Sequence, residues 1–415
     1  MKTIGFITEY NPFHHGHKYH LEQSLSETQA THSLAIMSSS FVQRGEPSIV
    51  DKWTKTKMAI NNGIDLVIEL PFIYSTQSAE LFAYGAINIM ESLNIVDYIS
   101  FGSEIGDLEP LANISNILLE EPYEYKNHLQ KSLNKGLSFP ASRNIAISNF
   151  LRSQNKYHSY DYTNILKQSN NILGIEYLKS LTKLNSSIKP VTIARKGANY
   201  KNSTLDLNLS SATGIRNSIF KNGVNSVEDF VPIETFQLLL EYKNKHKVFN
   251  TLSNYEPILN FLLLTKDPCD ISQYFDVNEG LENRIISCSE TGGNIYDIIE
   301  KISTKRYPKT RIQRILLHIL IDLRKSTINL LFKNQPPYIR VLGSNKKGYE
   351  ILRKIKDNSN IPIIQKFTDY KDYQNVFLNK FIKFEKKATD LYYFGLNSMY
   401  PLVNMDYKTS QYNQK

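Results

Sequence analysis

A short histidine-rich segment near the start of the chain carries the residues best suited to chemistry. His14 and His17 bracket Gly16 just after an apolar stretch at residues 2–8. Residues three apart at the start of a helix share one face, so both imidazoles can donate hydrogen bonds to one phosphate group. Gly16 removes a side chain where phosphate would approach the backbone. The pattern predicts electrostatic stabilisation of a leaving pyrophosphate, without a protein nucleophile.

Two other interpretations of this segment stay open. His14, His17 and His20 could bind a metal ion, although no cysteine is near and Glu9 is the only neighbouring carboxylate. The segment could also be a plain structural turn. Its place after a first strand, with an Asn-Pro pair ahead of the histidines, favours phosphate binding.

The elements that must position this segment alternate between strands and helices. The predicted strands cover residues 2–8, 32–37, 65–70, 98–101 and 190–195. The predicted helices cover residues 15–28, 51–62, 78–93, 171–182 and 211–221. This alternation predicts an α/β fold with a Rossmann-like parallel sheet and right-handed crossovers. Ligands of such sheets bind at the carboxyl ends of the strands, often at a helix N-terminus.

The chain divides into three predicted regions. Residues 1–222 form the α/β catalytic domain, and residues 223–330 form a mainly helical, basic region. Residues 331–415 form a small α/β region with a strand, helix and strand at 338–342, 348–355 and 361–365. This last region is either a third unit or packs back onto the first domain.

Positive charge is concentrated in one part of the helical region. The formal net charge is +9, and residues 301–340 contain ten Lys and Arg but a single acid, Asp322. Such a block favours a polyanionic partner, most commonly nucleic acid, over a solvated helix face. Tyr307 could stack on a base or pack inside the protein. The candidate RNA-binding residues are Lys305, Arg306, Lys309, Arg311 and Arg314.

Composition excludes several other classes of protein. The 415 residues are 41% hydrophobic, enough to bury a sizeable core. No apolar run approaches the ~18 residues that span a bilayer, and the histidines fall where a secretory signal would be apolar. Cys269 and Cys288 are the only cysteines, which fits a reducing compartment. We therefore expect a cytoplasmic protein without a membrane partner.

A second phosphate-binding pattern occurs late in the first domain. Ser211 and Thr213 can cap a helix and offer hydroxyl groups to phosphate, while Arg216 can neutralise the β- and γ-phosphate oxygens. Alone this pattern is weak, because Ser and Thr caps are common. Its position after the histidine segment strengthens it.

Together these motifs resemble the HIGH-type nucleotidyltransferase superfamily, in which a strand leads into G-x-F-D-P-x-H-x-G-H. Residues 8–17 match its Pro, aromatic, His, Gly and His positions, and depart from it at Thr8 and Asn11. Ser211 and Ile215-Arg216 match its Ser-x-x-x-Ile-Arg motif.

The chain more closely resembles one family in that group, the bacterial tRNA(Met) cytidine acetate ligases. The resemblance extends in order along nearly the whole chain. It is carried by Glu9-Tyr10-Asn11-Pro12-Phe13-His14, Ser40-Phe41-Val42-Gln43-Arg44-Gly45-Glu46-Pro47, Asp51-Lys52-Trp53, Val67-Ile68-Glu69-Leu70-Pro71, Thr76-Gln77-Ser78-Ala79-Glu80, Phe101-Gly102-Ser103-Glu104, Asn170-Asn171-Ile172-Leu173-Gly174-Ile175-Glu176-Tyr177, Ser211-Ala212-Thr213-Gly214-Ile215-Arg216, Arg306-Tyr307, Thr310-Arg311-Ile312-Gln313-Arg314 and Arg340-Val341-Leu342-Gly343.

This resemblance implies a reaction and a set of site residues. The family uses ATP to convert acetate to acetyl-adenylate, then acetylates the wobble cytidine of elongator tRNA(Met) to N(4)-acetylcytidine. Mg²⁺ would accompany ATP, held mainly by phosphates and water. The implied catalytic residues are His14, His17 and Arg216. The implied ATP contacts are Ile7, Thr8, Glu9, Tyr10, Asn11, Pro12, Phe13, His14, His15, Gly16, His17, Lys18, Tyr19, His20, Gly102, Asn170 or Asn171, and Arg195.

The chemistry of these residues is compatible with the implied roles. Gly102 at a strand end leaves room for an adenine or ribose. The asparagines could read an adenine edge or cap a helix, and Arg195 could bind phosphate or form a surface salt bridge, with Lys196 not excluded. The polar loop with Gln43, Arg44 and Glu46 could lie near acetate or tRNA.

Two other functions are compatible with parts of the sequence. A small-molecule nucleotidyltransferase would need no basic block of this length. A non-catalytic RNA-binding protein would not need His14, Gly16, His17 and Arg216 intact. The acetate- and ATP-dependent ligase accounts for both features.

Overall fold

Eight strands form one sheet in the computed structural model, which describes residues 1–137, 139–154, 160–195, 211–332, 336–396 and 402–414. Lys196 lies outside the described residues. The strands are β1 (Thr3–Thr8), β2 (His32–Ser38), β3 (Leu66–Leu70), β4 (Tyr98–Ser103), β5 (Lys189–Ala194), β6 (Ile339–Ser344), β7 (Ile363–Ile364) and β8 (Tyr412–Asn413). Their order is β5-β4-β1-β2-β3-β6-β7, and β8 also pairs with β6.

The helices of the described residues follow the sequence periodicity closely in the first domain. They are α1 (His15–Thr28), α2 (Lys52–Asn61), α3 (Phe72–Ser75), α4 (Ala79–Ser92), α5 (Leu108–Glu120), α6 (Tyr123–Asn134), α7 (Phe139–Ser153), α8 (Tyr162–Ile165), α9 (Ser169–Lys183), α10 (Ala212–Asn222), α11 (Ile233–His246), α12 (Glu256–Thr265), α13 (Pro268–Ile271), α14 (Leu281–Glu290), α15 (Ile295–Ile302), α16 (Lys309–Ile321), α17 (Lys325–Phe332), α18 (Lys346–Asn358), α19 (Val376–Phe394) and α20 (Met405–Lys408). Within this described part, no helix combines the length and apolar character needed to cross a bilayer.

The predicted α/β fold is confirmed, and the strand order fixes where a ligand would bind. Strands β1 to β5 are parallel, and β1 lies between β2 and β4. The chain moves from β1 towards β2 and β3, then returns to the other side of β1 at β4. Such a switch point opens a crevice at the carboxyl ends of the strands. The loop after β1 lies at this crevice.

The C-terminal region packs back onto the first domain, one of the two arrangements compatible with its sequence. Strand β6 pairs antiparallel with β3, through Leu66 with Ser344 and Ile68 with Val341. Gly348 at the start of α18 fits tightly against the backbone of Asp65, because a Cβ there would lie 2.1 Å from the Asp65 carbonyl oxygen. The sheet is therefore mixed at this edge. The three-region division of the chain remains a prediction.

A buried ionic cluster joins this edge to the C-terminal helices. The ammonium of Lys52 lies 2.6 Å from a Glu69 carboxylate oxygen and 2.8 Å from one of Asp406. The Arg340 guanidinium contacts the same two acids at 2.9 and 2.7 Å. Glu385 lies 3.7 Å from Lys52. Two cations thus face three carboxyl groups in the protein interior.

Burial and the nearby Glu69 carboxylate raise the pKa of Glu385 to about 8. In an unfolded chain a glutamate titrates near pH ~4.3, so between these pH values the folded protein holds a proton that the unfolded chain has lost. The free energy of unfolding should therefore fall as the pH rises through this window. Glu385→Gln should flatten that slope in urea unfolding measured at several pH values, and an unchanged slope would contradict the assignment.

Candidate functional site

The histidine segment leaves the carboxyl end of β1 and is fixed by contacts from the β2 side. The Asn11 side-chain oxygen accepts a hydrogen bond from the Ile49 backbone N–H at 2.7 Å. The buried ammonium of Lys55 donates to the backbone carbonyls of Glu9 (3.1 Å) and Ser38 (2.7 Å). These contacts fix the ends of β1 and β2 against each other, so the loop enters α1 in a defined path.

His14 and His17 form a stacked pair at the start of α1. Their ring centroids are 3.8 Å apart, with His14 at the N-cap position. His14 Nδ1 accepts a hydrogen bond from the Gly16 backbone N–H at 3.0 Å, and His17 Nδ1 accepts one from the His14 backbone N–H at 3.2 Å. A Cβ on residue 16 would lie 2.8 Å from His14 Cε1, so Gly16 makes room for this ring.

Electrostatics keeps these imidazoles neutral at pH 7. Burial, with a smaller contribution from Arg195, lowers the pKa of His14 to about 3. Burial and the neighbouring His14 lower the pKa of His17 well below its usual value. A neutral imidazole whose Nδ1 accepts a hydrogen bond must carry its proton on Nε2. Both rings therefore present an Nε2–H donor.

His20 has a different environment from this pair. Its Nε2 lies 2.9 Å from the Ser100 hydroxyl, and its ring packs edge-on against Phe6. Burial lowers the pKa of His20 to about 4. In the His14–His17 pair, by contrast, both Nδ1 atoms accept backbone hydrogen bonds. The described residues contain no group of three or more His, Cys, Asp or Glu placed to hold a metal ion.

Gly102 and Arg195 meet at the carboxyl ends of β4 and β5. Arg195 directly follows β5, and its backbone N–H donates to the Ser103 carbonyl at 3.0 Å. A Cβ on residue 102 would lie 3.5 Å from Arg195 Cγ. Arg195 is exposed and close enough to the histidines to lower their pKa values. Among the described residues it forms no ion pair.

The two asparagines differ, and neither occupies the N-cap. Helix α9 begins at Ser169 with Gln168 as the N-cap. The fully buried Asn171 oxygen accepts from the backbone N–H of Glu104 at 2.9 Å, and its amide nitrogen donates to Gln168 at 2.7 Å. Asn170 is half-buried and donates to the Glu104 carboxylate at 2.7 Å. Asn171 is thus fully buried and committed to internal contacts, whereas Asn170 is partly exposed.

Arg216 reaches the histidine segment from α10. Ser211 caps that helix by accepting from the Gly214 N–H at 3.1 Å. The Arg216 guanidinium donates to the Asn11 carbonyl at 2.9 Å and lies 3.7 Å from the Glu46 carboxylate. The two motifs, separated by about two hundred residues of sequence, are therefore in direct contact.

The polar loop after β2 connects this site with the helical region. Glu46 accepts a hydrogen bond from the Gln313 side chain of α16 at 2.9 Å. Gly45 has a φ of +80°, and a Cβ there would lie 2.4 Å from the Arg314 backbone nitrogen. Only glycine allows this close approach. Glu46 therefore joins Arg216 to the basic helix.

The other residues of the histidine segment take several positions. Ile7 and Thr8 end β1, and Pro12 follows Asn11 through a cis peptide bond. The Tyr10 and Phe13 rings are buried and pack against each other. His15 is exposed, while Lys18 and Tyr19 are half-buried on α1.

The five predicted RNA-binding residues do not form one uniform surface. Lys305, Arg306 and Lys309 are exposed. Arg311 is half-buried and Arg314 is 9% exposed, and their guanidinium groups lie 3.3 and 4.0 Å from the carboxylate of Asp276. Tyr307 is packed, with its hydroxyl donating to the Glu279 carbonyl at 3.1 Å. Helical periodicity explains the difference, because residues 311 and 314 lie on the face of α16 turned towards the protein.

Sequence reasoning did not assign roles to three residues that fix the site. These are Lys55, Glu104 and Gln313, which make the contacts described above. The sequence holds a partial signal for Lys55. It lies four residues before Ala59 and so shares the apolar face of α2, which indicates that its side chain is buried. No local signal marks the other two, because their partners are distant in sequence.

Comparison with known proteins gives consistent results. The HIGH Nucleotidyl Transferase family model matches residues 1–404. The tRNA(Met) cytidine acetate ligase of Thermoanaerobacter sp. strain X514 is 44% identical over 417 aligned residues, covering 98% of this chain and 100% of that protein. The protein of the same name from Clostridium perfringens is 40% identical over 412 residues, covering 99% of each chain.

Solved structures match over the whole chain as well. A crystal structure of Thermotoga maritima TmcAL bound to alpha-thio ATP aligns with a TM-score of 0.91 at 31% identity, covering 100% of this chain and 99% of that one. The apo form of the same protein aligns with a TM-score of 0.93 at 32% identity, with equal coverage.

Proposed function

The chain belongs to the HIGH nucleotidyl transferase family and, within it, to the tRNA(Met) cytidine acetate ligases, and from this premise we propose its reaction. The protein activates acetate with ATP and transfers the acetyl group to the wobble cytidine of elongator tRNA(Met), forming N(4)-acetylcytidine. It is an ATP-dependent, tRNA-modifying ligase.

Two motifs that are distant in sequence meet at the carboxyl ends of the parallel strands, and this observation carries the proposal. Arg216 donates to the Asn11 carbonyl, which places it beside the loop that leads into His14 and His17. Gly102 lies near the carboxyl end of β4, and Arg195 directly follows β5. Donors and positive charge thus surround the switch point, where a triphosphate would bind.

The first half-reaction follows from the charges of these groups. A carboxylate oxygen of acetate attacks the α-phosphorus, the bond between that phosphorus and the bridging oxygen breaks, and pyrophosphate leaves. The Nε2–H groups of His14 and His17 and the Arg216 guanidinium stabilise the charge that develops on the leaving group. Because the imidazoles are neutral, they act as hydrogen-bond donors rather than as acids.

The remaining predicted contacts are assigned to the adenosine and phosphates of ATP. Gly102 leaves its strand end open to the base or ribose, and Arg195 binds a phosphate. Of the two asparagines, Asn170 is the contact, because it is partly exposed whereas Asn171 is fully buried. Mg²⁺ accompanies ATP through phosphates and water, and no protein ligand is assigned to it.

The second half-reaction transfers the acetyl group to RNA. The cytosine N4 amine attacks the carbonyl carbon of acetyl-adenylate, AMP leaves, and the amine loses a proton. Anticodon-loop bases can be splayed out of the stack, which suits a target at the wobble position. The tRNA substrate implies that the protein works in the cytoplasm.

One experiment separates this function from its alternatives. Purified protein is incubated with ATP, labelled acetate and elongator tRNA(Met), and the matched control is the same tRNA with a wobble uridine. Label in the wild-type tRNA alone supports the ligase. ATP turnover without label in RNA would favour a small-molecule nucleotidyltransferase, and binding without turnover would favour a non-catalytic RNA-binding protein.

The exposed basic residues give a separate prediction about tRNA binding. Among the described residues, Arg306 and Lys309 form ion pairs with the exposed acids Glu279 and Glu300, and such pairs contribute little stability. They can therefore exchange these partners for phosphates. Replacing Lys305, Arg306 and Lys309 with Ala should make the slope of log K against log salt about 2–3 less negative, while acetate activation stays unchanged.

A charge-matched triple variant serves as the control. Lys346, Arg353 and Lys356 are exposed on α18, whose first residues contact Asp65 at the amino end of β3. Their replacement removes the same charge from the other end of the sheet, where the parallel strands begin. Equal effects of the two triple variants on the salt slope would contradict a specific RNA surface at residues 305–309.

A further inference from the structure

Four buried hydrogen-bond donors next to the histidine segment have no acceptor among the described residues. They are the amide nitrogens of Asn11 and Gln77 and the hydroxyls of Ser39 and Ser40. Each of these residues is at most 2% exposed. Buried polar groups in native proteins are nearly always hydrogen-bonded, so such donors call for an acceptor from outside the chain.

Hydrogen bonds and chain continuity place these four residues in one neighbourhood. The Asn11 oxygen accepts from Ile49 N–H at 2.7 Å, and the adjacent Ser48 N–H donates to the Ser40 carbonyl at 3.0 Å. Ser39 directly follows β2. The Gln77 backbone carbonyl accepts from the Gln43 side chain at 3.0 Å, and the Gln43 backbone N–H donates to the Glu9 carboxylate at 2.8 Å.

A buried positive charge lies at the same place. Lys55 is fully buried, and its ammonium donates to the carbonyls of Glu9 and Ser38, the residues next to this group. It forms no ion pair within the described part of the chain, and an ammonium has three donors. Burial lowers the pKa of Lys55 to about 7, although the Glu9, Glu69 and Asp51 carboxylates act in the opposite direction.

Asn11 links the four unpartnered side chains and Lys55 to the segment proposed to bind the triphosphate. Its backbone carbonyl accepts from Arg216, while its side-chain amide nitrogen belongs to the unpartnered donors. An anion held there would lie next to the segment that binds the triphosphate. The neighbouring Phe41 and Ile49 are fully buried, so the surroundings favour a ligand with a very small apolar part.

We propose that Asn11, Ser39, Ser40 and Gln77, together with the Lys55 ammonium, bind the carboxylate of acetate. This inference rests on the proposed function, since acetate is its substrate. A carboxylate accepts about four hydrogen bonds, and each of these side chains can donate at least one. The enclosure by apolar side chains selects acetate over longer acids.

Acetate-dependent exchange of labelled pyrophosphate into ATP tests this site without tRNA. The Ser39→Ala, Ser40→Ala double variant should raise the KM for acetate by about tenfold or more, with the KM for ATP unchanged. Ser33→Ala is the matched control, because that hydroxyl lies at the other end of β2 and donates to the Gly63 carbonyl. It should leave both constants unchanged.

A second variant tests the same site if the double serine variant fails to fold. Gln77→Glu replaces the amide nitrogen with an anionic oxygen at nearly constant volume, and repulsion should again raise the KM for acetate alone. An unchanged acetate KM in both variants would mean that ordered water satisfies these donors, and the inference would be wrong. No acetate-dependent exchange in the wild-type protein would overturn the proposed function and this inference together.

Discussion

His17→Asn is expected to slow acetyl-adenylate formation by about 10²–10³, because it removes one preorganised donor to the leaving pyrophosphate. The asparagine side-chain oxygen can still accept from the His14 backbone N–H, as His17 Nδ1 does at 3.2 Å. The start of α1 is thus preserved while the Nε2–H is lost. Pyrophosphate release in single turnover measures the effect.

His17→Gln is the informative comparison, since a glutamine amide can place an N–H near the position of Nε2. It should retain more of the rate than the asparagine variant. Both variants should bind tRNA as the wild type does, which a filter-binding titration can check. A normal rate of pyrophosphate release from His17→Asn would remove His17 from the catalytic group.

Lys52→Met is expected to lower the free energy of unfolding by about 3–5 kcal/mol. The ammonium is fully buried and lies 2.6 Å from Glu69 and 2.8 Å from Asp406. Its removal at similar volume leaves those carboxylates with Arg340 as their close cation. An uncompensated buried charge is far more costly than a lost surface pair. Urea unfolding monitored by the fluorescence of Trp53 measures the difference.

Lys183→Met is the matched control for this prediction. Lys183 pairs with Glu80 at 3.3 Å, but both side chains are about half exposed, so the loss should stay below about 1 kcal/mol. Similar unfolding free energies for the two variants would mean that the buried cluster contributes little to stability. Acetate-dependent exchange by the surviving folded fraction would further separate stability from activity.

The elements around the site could be predicted from sequence because their signals are local. Apolar stretches and helical periodicity predicted β1, α1 and α2 within about two residues of their observed bounds. Asp51 caps α2, and its carboxylate accepts from Thr54 N–H at 2.8 Å. Alternation of strands and helices also predicted the parallel sheet. The mixed edge formed by β6 could not be predicted, because its partner β3 lies more than 260 residues away.

The basic block at residues 301–340 shows what the sequence could not predict. Its net charge follows from composition, but the structure divides its residues into exposed ones and the pair Arg311 and Arg314, which contact Asp276. Charge counting cannot separate these classes, because burial of Arg314 depends on how α16 packs against residues distant in sequence. The asparagines behave in the same way, since Glu104 distinguishes Asn170 from Asn171 only after folding.

By itself, the order of amino acids determined which groups are available: two imidazoles around a glycine, an arginine in a capped helix, and a concentrated positive charge. Tertiary structure alone decided their states. Backbone N–H groups fix the proton of each imidazole on Nε2, and the loop after β2 brings α16 to Arg216. The physical reason is that burial and hydrogen bonding are set by neighbours in space, which a chain acquires only when it folds.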